Sequence, residues 1–218
     1  MKSLNIILLG RSGSGKGTQA ELLQEKYFLI NIDTGDILRA LAKRKDLFGE
    51  NISKTISKGK LVPLWLVTYC WLNKMLSLPS DKGVIFEGSP RVLEEAKILE
   101  ETLSWFSKRK LLVVYLKTSE KEVTNRLLNR RICSKCHREF SLALNPGLKK
   151  CSHCGAKLIR RRDDYPQAIK NRMDFFKKNI IPVINYFKKK KMLIEVEGEG
   201  LIMDIHEEIV SKIKKHLK

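Results

Sequence analysis

Two groups of residues in this chain carry chemistry. The first is Gly10-Arg11-Ser12-Gly13-Ser14-Gly15-Lys16-Gly17-Thr18, which follows the apolar run Leu4 to Leu9 and leads into the helix-like segment Gln19 to Tyr27. Glycines there let successive backbone N–H groups turn inward into an anion-binding nest, and the helix N-terminus adds its partial positive charge at the same point. Gly13, Ser14, Gly15, Gly17 and Thr18 are the expected phosphate cradle, with Lys16 reaching the β- and γ-phosphates of a nucleotide. The strict pattern puts Ser or Thr directly after the lysine; here Gly17 intervenes, which leaves Thr18 as the hydroxyl on the magnesium side. An ordinary glycine-rich turn would require neither the lysine nor both flanking elements.

The second group is Cys133-x-x-Cys136, then fourteen residues, then Cys151-x-x-Cys154. Two such pairs converge on one tetrahedral ion, zinc first and iron as the other ion that four thiolates hold. Four thiolates fill the coordination shell, so the ion is expected to be structural. It would staple a segment too short of apolar residues to fold on burial alone. His137 and His153 then stand outside the ligand set, and Cys70, among apolar neighbours, is expected in the core.

The elements that must position these groups alternate along the chain. Aliphatic runs at Leu4 to Leu9, Phe28 to Ile32, Val84 to Glu87, Leu111 to Leu116 and Met192 to Val196 are separated by segments with apolar residues at helical spacing. That alternation predicts an α/β fold with a five-stranded parallel sheet and helices on both faces. Two stretches break the rhythm: 33–62, which reads as short helices, and 129–164, which is rich in cysteine, basic residues and turn formers. Both are expected to be inserted lobes on a core formed by 1–32, 63–128 and 165–218. A long helix resumes at Tyr165-Pro166, and a last one starts near Leu201.

Composition bounds the partners. The 218 residues carry 43 Lys and Arg against 24 Asp and Glu, a formal charge of +19, so the surface attracts anions. Leu61 to Leu72 is the longest apolar stretch and falls short of the ~20 residues that span a bilayer. No membrane span and no secretory segment are expected, and a cytoplasmic setting agrees with cysteines used for metal.

The order of motifs resembles the adenylate kinases and related nucleoside monophosphate kinases over essentially the whole chain. Gly-Lys-Gly-Thr-Gln at 15–19, Thr34-Gly35-Asp36-Ile37-Leu38-Arg39, Gly59-Lys60-Leu61-Val62, Glu87-Gly88-Ser89-Pro90-Arg91, Arg130-Arg131-Ile132-Cys133 and Asp163-Asp164 carry the resemblance. It implies reversible transfer of the terminal phosphate of ATP to AMP, with Mg2+ accompanying ATP and Zn2+ in a lid of the cysteine-containing type. It further implies that Lys16, Arg91, Arg130, Arg161 and Arg172 are catalytic, and that Arg126, Arg130 and Gly200 join the loop in binding ATP. Thr34, Arg39, Lys60, Val62, Gly88, Arg91, Glu95, Arg161 and Arg172 would bind the acceptor. The lobes would close about hinges near Asp33, Val62, Asn129 and Asp164, in a monomer.

Each residue also has a plainer role. Any one arginine is a solvated charge in a basic chain, Thr34 has the composition of a helix N-cap, and Asp164 would cap the helix after it or pair with an arginine. Departures from the family pattern are Ser12 for proline, Glu87 for aspartate, Ser89 for phenylalanine and Leu144 for an aromatic residue near the donor base. Glu95 replaces a glutamine, and an ionised carboxylate only accepts hydrogen bonds, which suits guanine N1–H and N2–H₂ and makes GMP the alternative acceptor. A P-loop protein whose zinc ribbon grips nucleic acid is the reading from a different class. Phe140 is the one aromatic residue interleaved with the basic ones, so no stacking platform accompanies the charge, and specific nucleic-acid binding is not expected.

Overall fold

The computed structural model describes residues 4–79, 81–106, 109–136, 138–143, 145–161 and 164–217. His137, Leu144 and Asp163, each singled out above, lie outside them. The chain opens with β1 (Leu4–Gly10), α1 (Lys16–Tyr27), β2 (Ile30–Asp33), α2 (Thr34–Leu41), α3 (Leu47–Ser57), α4 (Leu64–Leu76), β3 (Val84–Glu87) and α5 (Leu93–Phe106). It continues through β4 (Lys110–Lys117), α6 (Glu120–Asn129), β5 (Arg130–Cys133), β6 (Glu139–Ser141) and β7 (Leu158–Ile159). It ends with α7 (Pro166–Phe175), a π-helical turn (Phe176–Ile180), α8 (Ile181–Lys189), β8 (Leu193–Glu197) and α9 (Ile202–Leu217).

Five strands form one parallel sheet in the order β2-β3-β1-β4-β8. β1 is central because both of its faces are apolar: Ile7 and Leu9 enter one core, while Leu4, Ile6 and Leu8 enter the other. The first core is packed by α4, α5 and α8 around Trp71, Phe86 and Phe187, and Cys70 lies in it. The second is closed by Ala20 and Leu23 of α1 and by Ile205, Ile209 and Ile213 of α9. Ligands of open α/β sheets sit beyond the carboxyl ends of the strands, where the loops after β1, β2 and β3 meet in this chain.

Beyond Asp33, which ends β2, the stretch 33–62 contains α2 and α3 and no strand among its described residues. The stretch 129–164 contains three short strands, β6-β5-β7, all antiparallel, where the sequence offers no alternation long enough to announce them. The helix expected after Pro166 is interrupted by the π turn, which seats Phe176 under the Arg11 guanidinium at 4.6 Å and against the Tyr115 ring. Such turns re-aim side chains at functional sites. Here it gives the start of the glycine loop a cation–π support.

Candidate active site

The loop after β1 turns through Gly13 and Gly15 at positive φ, and Gly15 caps α1 in the left-handed conformation. A Cβ on Gly13 would lie 3.0 Å from the Leu127 side chain and 3.3 Å from the Val123 carbonyl, so α6 packs directly on the loop. Arg126 of α6 stands over Gly15 and pairs with Glu122 at 2.6 Å. Lys16 Nζ donates to the carbonyls of Gly10 and Arg11 at 3.0 and 2.7 Å, which folds its side chain back across the nest. Burial pulls its pKa down to about 8 against the opposing charge of Glu87, and Arg91 and Arg130 add to the lowering. Lysine loop, Arg91 and Arg130 therefore share one electrostatic neighbourhood.

Glu87 ends β3 beside α1: a Cβ on Gly17 would lie 3.4 Å from its Oε1. Burial, then the charge of Asp33, pushes its carboxyl up to about 7 despite Lys16. An oxygen donor held at raised energy next to the loop and the exposed Thr18 suits a hard divalent cation, so these residues fit magnesium.

The arginines converge on Asp164, whose side chain is fully buried. Arg130 donates to it through Nε and one terminal nitrogen, each at 2.7 Å, and Arg172 adds a contact at 3.1 Å. On the other side Glu139 of β6 takes Arg161 at 3.0 Å and Arg130 at 3.3 Å. Asp164 therefore does not cap α7, whose N-cap is Tyr165; its partners are the arginines. Replacing it with Asn leaves two guanidinium groups against a neutral amide. Asp164→Asn is expected to lower unfolding stability by about 3 kcal/mol, read as a shift of the urea midpoint.

Thr34, Lys60, Val62, Gly88, Arg91 and Glu95 line one cavity of about 300 Å³. Its walls are apolar, with Leu38, Ile56, Leu64 and Val67. Arg91 is fixed by its Nε bond to the Gly88 carbonyl at 2.7 Å. Thr34 is buried with its hydroxyl 2.7 Å from the Ser89 hydroxyl and 3.0 Å from the Glu87 carbonyl. The cap of α2 is instead Asp33, which accepts from Asp36 N at 3.1 Å. Arg39 is paired with Asp36 and Asp33, and shares the charge environment of Arg91 with Arg172. Gly200 sits at positive φ in the turn after β8, next to Glu199, which accepts from Ser119 N at the start of α6.

The four cysteine sulfurs lie within 4.8 Å of one another. Cys133 and Cys154 approach to 3.4 Å, and Cys136 and Cys151 to 3.6 Å. A tetrahedral ion with bonds of ~2.3 Å separates its sulfurs by ~3.8 Å, so the set fits zinc with little movement. Burial raises the Cys133 thiol, but backbone N–H groups of Cys136 and Lys135 outweigh it and hold it down at about 6. His153 is exposed beside the set, as expected of a residue outside it.

Sequence reasoning passed over Glu139 and Arg11. Glu139 reads as a surface carboxylate on a strand that shows no pattern. Arg11 reads as loop filler, yet it donates to the Thr118 carbonyl at 2.6 Å and stacks on Phe176.

A protein-family model described as adenylate kinase matches residues 8–192. An adenylate kinase of Archaeoglobus fulgidus is 37% identical over 218 residues, covering 97% of this chain and 100% of that protein. One of Methanocella arvoryzae is 35% identical over 214 residues, 97% of this chain and 99% of its own length. One of Clostridium botulinum is 34% identical over 204 residues, 93% of this chain and 94% of that protein.

Proposed function

This chain belongs to the adenylate kinase family, and on that premise we propose that its cleft transfers the terminal phosphate of ATP to AMP, reversibly and with magnesium. The observation that carries the reading is the common charge neighbourhood of Lys16, Arg91 and Arg130, which joins the glycine loop to the cavity lined by Thr34 and Glu95. Two phosphate chains laid end to end bring several negative charges together, and catalysis is then positioning plus neutralisation.

The donor chain lies in the backbone nest of Gly13 to Thr18, with Arg126 and Gly200 at the donor base. Lys16 swings from the Gly10 and Arg11 carbonyls to the β- and γ-oxygens. Glu87 and Thr18 would hold the magnesium ion, which would supply charge neutralisation to the donor phosphates. The acceptor's base enters the cavity, and Arg39, Lys60 and Arg91 hold its phosphate. An acceptor phosphate oxygen attacks the γ-phosphorus as the bond to the bridging oxygen breaks, and ADP leaves from each side. Arg130, Arg161 and Arg172 surround the moving group with fixed charge. No general base is required, since the attacking oxygen is already anionic.

We assign 33–62 to the acceptor lobe and 129–164 to a zinc-stapled lid, both closing about the ends of the core to exclude water as a competing acceptor. No helix among the described residues is long and apolar enough to cross a membrane. A panel of AMP, GMP, CMP and UMP with magnesium and ATP tests the reading. Turnover led by AMP is expected; turnover of none, or failure of a dinucleoside pentaphosphate to compete with ATP, would sink it.

The Lys16 pKa near 8 gives the free enzyme a basic limb. ATP is fully ionised there, so kcat/KM for ATP is expected to fall about tenfold per pH unit above pH ~8 as the ammonium loses its proton. Lys16→Arg, whose guanidinium stays charged, should abolish that limb in a pH–rate profile.

A further inference from the structure

Glu95 is a carboxyl at 1% exposure lining a cavity whose walls are mostly apolar. Its Oε2 accepts from the backbone N–H of Arg91 at 2.7 Å, and its Oε1 is buried with no partner of hydrogen-bonding geometry. From its own turn come the Arg91 guanidinium and the Ser89 hydroxyl, and from α4 comes the neutral indole N–H of Trp71. The adjoining Glu94 and the Lys60 ammonium also line the cavity, while α2 contributes only the uncharged Thr34, Gly35 and Leu38. Burial outweighs Ser89, Trp71 and Arg91 and pushes the carboxyl above its ordinary range.

A carboxyl differs from an amide at one point: it is a donor only while it keeps its proton. We infer that Glu95 selects the acceptor base by its own protonation, donating Oε1–H to adenine N1 and accepting from the adenine 6-amino group on Oε2 when neutral, and accepting from guanine N1–H and the 2-amino group when ionised. The Oε2 atom has a second lone pair left after the Arg91 N–H, so in both arrangements each carboxyl oxygen meets a complementary group of the base. In the wrong pairing a buried acceptor faces an acceptor, or a donor faces a donor, and such mismatches dominate selectivity in closed sites. The inference rests on the cavity being the acceptor site proposed above.

The test is kcat/KM for AMP and for GMP at saturating magnesium–ATP between pH 5.5 and 8.5, taken as a ratio. Both acceptors carry the same phosphate, and Lys16 serves both, so their titrations cancel. Because one form of Glu95 serves each base, the AMP:GMP ratio of the native enzyme is expected to fall about tenfold for every pH unit. Glu95→Gln should hold the ratio constant at an AMP-favouring value. Calorimetry in buffers of different ionisation heat should show proton uptake on AMP binding at the alkaline end, absent in Glu95→Gln. A flat ratio in the native enzyme overturns the inference without any variant, as does an equal slope in Glu95→Gln. Val62→Trp separates the underlying assignment: it should raise KM for both acceptors at all pH values and leave KM for ATP unchanged. If it raises neither, the acceptor site lies elsewhere.

Discussion

Lys16→Met is expected to lower kcat by about 10³-fold while AMP binding, followed by calorimetry, stays within a factor of a few. Methionine keeps the stem that crosses the loop and removes the charge. What is lost is a cation held beside the carbonyls of Gly10 and Arg11, in the low-dielectric neighbourhood where a fixed charge acts most strongly on a developing one. The acceptor cavity does not include Lys16, so its ligand should report an intact fold. A variant whose kcat stays within tenfold of the native enzyme would remove Lys16 from the chemistry.

The second large effect is expected from the cysteine cluster. The native protein should carry one ion per chain by elemental analysis, and Cys154→Ser should carry none. Structural zinc in small modules contributes on the order of 10 kcal/mol of apparent folding free energy. The strands it joins are three and two residues long in β6 and β7, too short to persist alone. Hydrogen exchange in 130–161 should rise to that of an open segment in Cys154→Ser, while the sheet built on β1 keeps its protection. Arg130 and Arg161 flank this module, and misplacing such groups by about 1 Å costs on the order of 10²-fold in turnover. A Cys154→Ser protein with native metal content or native exchange would contradict the assignment.

How far the sequence announces this structure depends on the length over which a pattern repeats. β1 is legible to within a residue and α1 to within three, because an apolar run, a glycine turn and a helical period follow one another directly. β2 was expected from Phe28, but Phe28 ends α1 in the left-handed conformation at φ 54 and lies exposed, and the strand begins at Ile30. An aromatic residue closing a helix is indistinguishable by hydropathy from one opening a strand. The lid strands escape for the opposite reason: two or three residues cannot show a period. Among site residues, those with a fixed spacing to the loop or to a cysteine pair were legible, whereas Glu139 is identified only by the two arginines that the fold brings to it. Asp164 had two roles open in the sequence, and its complete burial against Arg130 and Arg172 decides between them.

That same pairing sets what the cleft admits. Asp164 and Glu139 already pair with Arg130, Arg161 and Arg172, two carboxylates against three guanidinium groups, so most of the charge of this cluster is not on offer at the site. A lone phosphate entering there trades one ion pair for another and gains little. A triphosphate that also reaches Lys16 and the loop amides gains contacts that neither carboxylate can make. On the function proposed above, the cleft weighs visitors by how far their charge extends, and short anions abundant in solution are poor tenants.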